Sequence, residues 1–363
     1  ELETLITNGI ESTRYLAVDE SRMLADPARY YKGGKPDLQL FDKKLYEVNP
    51  DDKVAIARAA AEEVLGKDER IISVDSSYSD GEGSSYRLIS NGFEGESKST
   101  WFSVSASVSI KGEGEARPQD YWYDSALFYD KLTKTGIGAK ALERVLRKLG
   151  QKKAKSGKYT MVVDPMNVGN LLSPMLSALY GSALQQKNSF LMDKLDTKVA
   201  SDLFTLRDEP HAIGANGSRY FDNEGVATEP RTVFDKGVLK TYFIDTYNGK
   251  KMDIAPTISA PSRLILTPGD KDLNGLVADI KQGILVTGFN GGNSNSSTGD
   301  FSYGIEGFLI EDGKLTQPVN EMNVTGNMVT LWNSLVAVGN DPQPNRSWQI
   351  PSLVFEGVDF SGL

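Results

Sequence analysis

The chain has 363 residues, of which 39% are hydrophobic and 25% charged, a composition typical of a folded protein with more than one domain. Its formal net charge of −9 argues against direct binding to nucleic acid or to an anionic membrane, since both depend on clustered lysine and arginine. The sequence contains no cysteine and one histidine, which excludes disulfides, a thiolate nucleophile and metal sites built from cysteine or several histidines.

The sequence also bears on cellular location and on cofactors. No apolar run approaches the roughly 20 residues of a membrane span, and the first residues lack a signal-peptide pattern. We therefore expect a cytoplasmic protein without membrane contact, and nothing in the sequence indicates a cofactor. Because the chain begins at Glu1 rather than Met, we also expect an N-terminal segment to be absent.

The first 66 residues predict two helices separated by an irregular loop. Residues 1–16 have the pattern of a short amphipathic helix. The second helix has clear start and stop signals: Asn49 suits the N-cap, Pro50 suits the first helical position, and Gly66 ends the apolar stripe.

Residues 70–113 change to a period of two, which predicts a strand, a loop, a second strand, a turn at Asn91-Gly92 and a long strand. In the long strand apolar residues alternate with Ser103, Ser105, Ser107 and Ser109, so we expect an antiparallel sheet with one solvent-exposed face. An amphipathic helix then ends near Gly150. The lysine-rich segment 151–158 is interpreted as an unstructured linker, which divides the chain into domains 1–150 and 151–363.

Strands dominate the second half of the sequence. "YTMVVD" predicts a strand, and residues 169–190 predict one helix. Hairpins are expected around Asp235–Gly237 and at Asp312-Gly313, with one short helix near 271–282 and strands from Met328 to the end. The predicted fold class is α+β. It combines an N-terminal α/β domain of antiparallel strands and flanking helices with a C-terminal domain dominated by a large, mostly antiparallel β-sheet or barrel-like sheet.

The glycine-rich segment "TGFNGGNSNSSTGD" lacks the Gly-Lys-Ser/Thr and following helix of a phosphate-binding loop, so we interpret it as a long ordered loop between strands. Long ordered loops often carry function. Asn293, Asn295 and Asp300 in this segment, and Tyr303 just after it, are candidate contacts to a peptide or partner.

Three further residues have side chains suited to catalysis. His211 is the imidazole that a Ser-His-Asp triad would need, but no Gly-x-Ser-x-Gly motif accompanies it, and a non-catalytic loop histidine is the simpler interpretation. Asp222 and Glu224 would suit an acid/base pair or a cation site, and they are also candidate peptide contacts. Turn formation before a hairpin is the plainer explanation for both.

Several long segments resemble one family, the TldD/PmbA family, whose members are known as modulators of DNA gyrase. Within it the chain is most similar to the TldE (PmbA) branch. The resemblance runs along the whole chain and is carried by "QDYWYDSA", "IGAKALERVLRKLG", "GSALQQKNSFLMDKL", "RYFDNEGVATEPRTVFDKGVLKTYFIDTY" and "GGNSNSSTGDFSYGIEGFLIEDGKLTQPVNEMNVTGN".

The resemblance implies that the helix at 169–190 lacks a metal-binding motif. In the TldD branch the corresponding helix carries His-Glu-x-x-x-His, whose histidines bind zinc while a C-terminal cysteine adds a ligand. Here the equivalent positions lie between Leu171 and Ser177, and "NDPQPNRSWQIPSL" supplies no cysteine. Side chains of this kind cannot hold Zn²⁺ or lower the pKa of its bound water. The resemblance therefore implies no catalytic, metal-binding or cofactor-binding residues.

The leading hypothesis is a pseudo-enzyme, a non-catalytic subunit that pairs with a TldD-like metalloprotease in a heterodimer acting on unstructured peptides. Two alternatives stay open. One is a stand-alone homodimer that binds peptides or proteins without cleaving them, and the other is a hydrolase that uses His211 or the pair Asp222 and Glu224.

Overall fold

Three β-sheets and eight α-helices make up the computed structural model, which describes residues 1–363. The helices are α1 (Leu2–Thr13), α2 (Pro50–Glu62), α3 (Ile137–Leu146), α4 (Gly169–Ser177), α5 (Gly181–Gln185), α6 (Thr246–Met252), α7 (Leu273–Ala278) and α8 (Met328–Asn333). The strands are β1 (Ile71–Ile89), β2 (Phe93–Ile110), β3 (Gln119–Ala126), β4 (Gly157–Val163), β5 (Leu206–Asp208), β6 (Arg231–Asp235), β7 (Val238–Leu239), β8 (Leu264–Leu266), β9 (Gln282–Ser294), β10 (Asp300–Glu311), β11 (Lys314–Asn327), β12 (Leu335–Val338), β13 (Trp348–Gln349) and β14 (Leu353–Ser361). No helix combines the length and apolar character needed to span a bilayer.

The N-terminal part is an antiparallel sheet, in the order β1-β2-β3, covered on one face by α2 and α3. Helix α2 begins as predicted, with the Asn49 side chain accepting a hydrogen bond from the Asp52 amide at 2.9 Å. The predicted apolar face of β2 is fully buried and consists of Phe102, Val104, Ala106, Val108 and Ile110. A Cβ on Gly138 would lie 1.9 Å from the Ala60 carbonyl oxygen, so this glycine allows α3 to approach α2 closely.

The loop predicted between two strands before Asn91 is wrong, because β1 continues unbroken through that segment. Gly81 pairs with Trp101 across the ladder, and a Cβ on Gly81 would lie 3.0 Å from the Trp101 indole nitrogen. The glycine therefore leaves room for the tryptophan ring. A residue that usually signals a turn here permits cross-strand packing instead.

The C-terminal part is built on a barrel of five strands: β4, β9, β10, β11 and β14. The ring closes where residues 323–325 of β11 pair with residues 359–361 of β14. Every pairing in the ring is antiparallel except the one between β4 and β9, so the mostly antiparallel, barrel-like prediction is confirmed. Strand β12 extends the sheet beyond β14, and a second sheet has the order β13-β8-β5-β6-β7.

The helix predicted across 169–190 is divided into α4 and α5. Between them Tyr180 is extended, with φ −74° and ψ 141°, and the Gly181 amide donates to the Phe243 carbonyl at 2.7 Å. A Cβ on Gly181 would lie 2.9 Å from the Asn248 Cβ. The chain therefore leaves the helix to pair with a distant segment, a tertiary contact that helical periodicity cannot reveal.

Two other helices differ from the sequence prediction. Residues 328–333 were expected in a strand but form α8, whose first turn is capped by the Asn327 side chain on the Val329 amide at 3.0 Å. Helix α6 was not predicted, although the Asp245 side chain caps it in the same way on the Asn248 amide at 2.7 Å. Both caps are short local signals within sequence that is otherwise strand-like.

The lysine-rich segment 151–158 is more ordered than its predicted role as an unstructured linker. The Lys152 amide donates to the Pro318 carbonyl at 3.1 Å, and Ala154 accepts from the Leu363 amide at 2.9 Å. Ala154 is buried in the core of the barrel part. The main chain of this segment is therefore fixed against β11 and the C-terminal end of the barrel.

Candidate functional site

Helix α4 follows the buried strand β4 and turns its apolar side chains into the largest core cluster of the protein. Leu171, Leu172 and Met175 are fully buried and Leu176 is nearly so, whereas Ser173 and Ser177 are exposed. The helix presents neither a carboxylate nor an imidazole on any face. Its inward face is therefore hydrocarbon and thioether.

Aromatic side chains fix the position of α4. The Trp332 indole Nε1 donates to the Leu171 carbonyl at 3.3 Å, and the ring is fully buried. Trp332 also contacts Phe204, with 4.3 Å between ring centroids, and Phe355, with 5.6 Å. The space beside the first turns of α4 is thus filled by packed rings.

The zinc ion that the resemblance implies for the TldD branch does not fit the residues of this chain. Nowhere in residues 1–363 do three or more histidine, cysteine, aspartate or glutamate side chains come close enough together to hold a metal ion. A zinc site needs at least three such donors converging on the ion.

The acidic group between β4 and α4 is Asp164. Burial raises the pKa of the Asp164 carboxyl to about 6, and hydrogen bonds from Asn167 partly offset that effect. Its Oδ1 accepts from the Asn167 amide at 3.0 Å and from the Asn167 side-chain Nδ2 at 2.7 Å. Asp164 therefore organises the turn that leads into α4.

The four candidate contact residues in and just after the glycine-rich segment lie at one end of the β9–β10 hairpin. The predicted long loop is wrong, because β9 runs to Ser294 and only residues 295–299 connect the strands. Asn293 lies on β9 opposite Ser302, and Tyr303 lies on β10 opposite Gly292. The Tyr303 ring also packs at 5.5 Å from the rings of Phe289 and Phe301.

Two of these four residues have side chains engaged within the hairpin. Asn295 Oδ1 accepts from the Ser297 amide at 2.9 Å and the Thr298 amide at 3.2 Å. Asp300 accepts from the Asn327 side chain at 3.0 Å and the Thr298 hydroxyl at 2.8 Å, and these bonds lower the pKa of the Asp300 carboxyl. Contact between these four residues and a peptide or partner stays a prediction.

Asp222 and Glu224 belong to a different segment, a turn that contacts α6. Buried Asp222 accepts from the Glu224 and Val226 amides through Oδ1, at 2.8 and 3.0 Å, and from the Ser259 amide through Oδ2 at 3.0 Å. Glu224 accepts from the Thr246 amide at 2.9 Å, and burial raises the pKa of its carboxyl. Both carboxylates face backbone donors, which is the arrangement expected of turn-forming residues.

His211 is held by a threonine and not by a carboxylate. Its Nε2 lies 3.0 Å from Thr228 Oγ1, and the Thr228 hydroxyl donates to the Arg219 carbonyl at 2.5 Å. Because the hydroxyl hydrogen is already used, the tautomer that fits this bond carries its proton on Nε2, and Nε2 then does not act as a base toward Thr228. Burial lowers the pKa of His211, so the ring is neutral at pH 7.

A groove that sequence inspection did not identify lies between the two parts of the chain. Its volume is about 770 Å³, and it is lined by residues from four separate segments: 31–41, 85–87, 95–98 and 218–223. The rings of Tyr31 and Tyr220 stack at 5.1 Å along it, and Asp222 contributes to the lining. No local motif could reveal it, since each segment supplies only part of the surface.

Comparison with known proteins places this chain in a class of metallopeptidase-like proteins that have a central and a C-terminal domain. The profile of the PmbA/TldA metallopeptidase central domain matches residues 43–149, and that of the PmbA/TldA metallopeptidase C-terminal domain matches residues 156–362. The chain belongs to the PmbA/TldD family, as the sequence resemblance predicted.

Individual relatives agree with this assignment. The chain is 29% identical to the Metalloprotease PmbA homolog of Haemophilus influenzae, over 99% of this chain and 81% of that protein. It is 27% identical to Metalloprotease PmbA of Escherichia coli O157:H7, over 97% of this chain and 78% of the relative.

Solved structures show the same fold. A protein from Bacteroides thetaiotaomicron, provisionally named a modulator of DNA gyrase, superposes with a TM-score of 0.99 at 73% identity, over 100% of this chain and 83% of its own. A Thermotoga maritima protein with the same provisional name gives 0.83 at 26% identity, covering 92% of this chain and 79% of that one. TldE from Thermococcus kodakarensis, 22% identical, gives 0.82 over 97% and 82% of the two chains, a likeness of fold alone.

Proposed function

We propose that this chain is a TldE/PmbA-like, non-catalytic subunit of a metalloprotease complex. In this proposal a TldD-like partner supplies the metal, and the heterodimer cleaves unstructured peptides in the cytoplasm. The observation that carries the proposal is helix α4, whose inward side chains are buried leucines and methionine. The family scaffold is retained while the place of its metal-binding motif is occupied by core packing.

The two remaining candidates for hydrolysis lack the contacts that catalysis needs. A triad requires a histidine hydrogen-bonded to its nucleophile, and the one side-chain hydrogen bond of His211 is with Thr228, whose hydroxyl donates to the Arg219 carbonyl. An acid/base pair requires a carboxylate aimed at substrate, and the carboxylates of Asp222 and Glu224 bind main-chain amides. These contacts support a structural role for the three residues within this chain.

The test compares three purified samples: this chain, a TldD-like subunit that carries His-Glu-x-x-x-His, and an equimolar mixture. Zinc content is measured by mass spectrometry, cleavage with an unstructured fluorogenic peptide, and association by size-exclusion chromatography. We expect this chain alone to hold no stoichiometric zinc and to cleave nothing, while the mixture elutes as a heterodimer and cleaves the peptide.

Two outcomes would contradict the proposal in different ways. Stoichiometric zinc together with cleavage by this chain alone would make it a protease in its own right. Self-association that persists in the presence of the TldD-like subunit, with no mixed complex, would favour the stand-alone binding homodimer.

A further inference from the structure

A second pocket between the two parts of the chain is lined by three cationic side chains that form no ion pair. Its volume is about 500 Å³. Lys131 comes from the segment after β3, while Arg263 and Arg346 come from the C-terminal part. We call it the arginine pocket, defined by these three residues.

Strand pairing places the two arginines at the same end of the second sheet. Strands β8 and β13 are parallel, with Leu264 opposite Trp348. Arg263 immediately precedes β8, and Arg346 lies two residues before β13, so both emerge at the same end of the paired strands. Their position therefore depends on the main-chain ladder and not on a flexible loop alone.

None of the three cationic groups takes part in an ion pair within 4.0 Å. The Nε of Arg263 is moreover shielded from solvent and has no hydrogen-bond partner. A buried donor without a partner costs about 1–3 kcal/mol. A bound ion or ligand is one way in which the hydrogen bonds of such a group are completed.

The nearest acidic residues in sequence are already occupied. Asp208 Oδ1 accepts from the Ser262 amide at 3.0 Å and the Arg263 amide at 2.8 Å, so it binds the main chain. Glu209 is paired with the Arg207 guanidinium at 2.7 Å. Burial lowers the pKa of both Arg263 and Arg346, because each guanidinium is partly desolvated, and the charge of Glu209 opposes this effect at Arg263.

The side of the pocket that carries Arg346 is held in place by contacts from neighbouring elements. The Arg346 guanidinium lies 4.7 Å from the centroid of the Tyr123 ring on β3. The Gln349 side chain donates to the Arg346 carbonyl at 2.6 Å, and the Asn216 side chain donates to the Asn345 carbonyl at 3.3 Å. A cation held in this way loses little freedom when it binds a ligand.

We propose that the arginine pocket binds a carboxylate of a peptide, supplied either by its C-terminus or by an acidic side chain. Guanidinium groups match the planar, two-oxygen geometry of a carboxylate, and their charge-assisted hydrogen bonds strengthen in a desolvated pocket. The inference rests on the proposed function, in which this chain handles peptides. It adds a substrate class, peptides that carry an accessible carboxylate.

The test measures direct binding of octapeptides to the purified chain by fluorescence anisotropy, with an uncharged BODIPY label at the N-terminus so that the dye adds no carboxylate. Three peptides distinguish the sources of the carboxylate: a neutral sequence with a free C-terminus, the same sequence amidated, and an amidated sequence with two internal glutamates. We expect one carboxylate-bearing peptide to bind at least about tenfold more tightly than the neutral amide, as a charge-assisted hydrogen bond implies.

Variants locate the effect. Arg263→Gln and Arg346→Gln should each abolish that preference, while Arg58→Gln should keep it, because Arg58 is an exposed arginine on α2 outside the pocket. Far-ultraviolet circular dichroism verifies the folding of each variant. If one of the two pocket variants does not fold, the other still tests the inference. Equal affinity for all three peptides, a preference unchanged in both pocket variants, or no peptide binding at all would overturn the inference. Because these assays measure binding by this chain alone, none of those results bears on whether it cleaves peptides or holds zinc.

Discussion

The ammonium group of Lys148 lies 2.7 Å from Glu306 Oε1, which joins the segment after α3 to strand β10 of the barrel. The same group is 3.2 Å from Asp120 on β3, and its side chain is only 10% exposed. Lys148 therefore neutralises two acidic residues from different parts of the chain in a nearly buried place.

Replacing Lys148 with methionine should lower the free energy of unfolding by about 3 kcal/mol or more, because it leaves Asp120 and Glu306 with less compensation for their charge. Arg144 still contacts Asp120 at 3.2 Å, so the loss of a charge partner falls mainly on Glu306. Urea unfolding followed by circular dichroism measures the change. The matched control is Lys158→Met, which removes an exposed pair with Asp359 and should cost under about 1 kcal/mol. Equal effects of the two substitutions would show that burial of the first pair is unimportant.

Trp332 supplies a second prediction, on the packing around α4. Trp332→Phe keeps an aromatic ring but removes the hydrogen bond to the Leu171 carbonyl and leaves space beside Phe204 and Phe355. We expect a loss of about 1–3 kcal/mol in the free energy of unfolding. The measurement is urea unfolding, with Trp101→Phe as the control because that side chain lies on an exposed part of β2. An unchanged unfolding midpoint in Trp332→Phe would mean that α4 is not fixed by this ring.

Secondary-structure elements were predicted correctly where the signals lie in neighbouring residues. They were predicted wrongly where contact with a distant segment determines the local conformation. The cap at Asn49 and the alternation from Phe102 to Ile110 were confirmed, because each follows from neighbouring residues. The break at Gly181 was missed, because it depends on pairing with Phe243. The glycines around Gly81 suggested a loop, although that position faces Trp101 within a continuous ladder.

The same distinction applies to the candidate site. Absence of metal ligands along 171–177 can be read directly from the residues. The groove at Tyr31 and Tyr220 and the arginine pocket cannot, because distant segments assemble both. Several roles were open for Asp222 and Glu224 at the level of sequence, and only the backbone geometry shows that each carboxylate is a main-chain acceptor.

His211→Ala should leave peptide cleavage by the reconstituted heterodimer unchanged, because the ring donates to a threonine whose own hydroxyl proton is already bound. The variant should lose about 1 kcal/mol of stability from that hydrogen bond. Initial cleavage rates at equal heterodimer concentration provide the measurement, with Thr228→Val as a companion that removes the same bond from the other side. A fall of about tenfold or more in the His211 variant, but not in the Thr228 variant, would support the alternative in which His211 is catalytic.

Asp164 gives a prediction about pH. Burial raises the pKa of its carboxyl from the ordinary 3.8 to about 6, so between those values the folded chain binds more protons at this site than the unfolded chain does. The stabilising contribution of Asp164 is therefore complete below about pH 4 and is lost as the pH rises through 6. Asp164→Asn removes this dependence while keeping an oxygen that can accept from the Asn167 amide.

We expect the difference in unfolding free energy, wild type minus Asp164→Asn, to fall by about 2 kcal/mol between pH 4 and pH 7. Asp300→Asn provides a contrast of opposite sign. Hydrogen bonds from Asn327 and Thr298 lower the pKa of the Asp300 carboxyl, so its contribution is present above pH 3.8 and is lost as the pH falls. Urea unfolding at half-unit steps of pH measures both differences. If the Asp164 difference rises with pH instead, its carboxylate is stabilised in the fold, and the turn into α4 is held by a charged group.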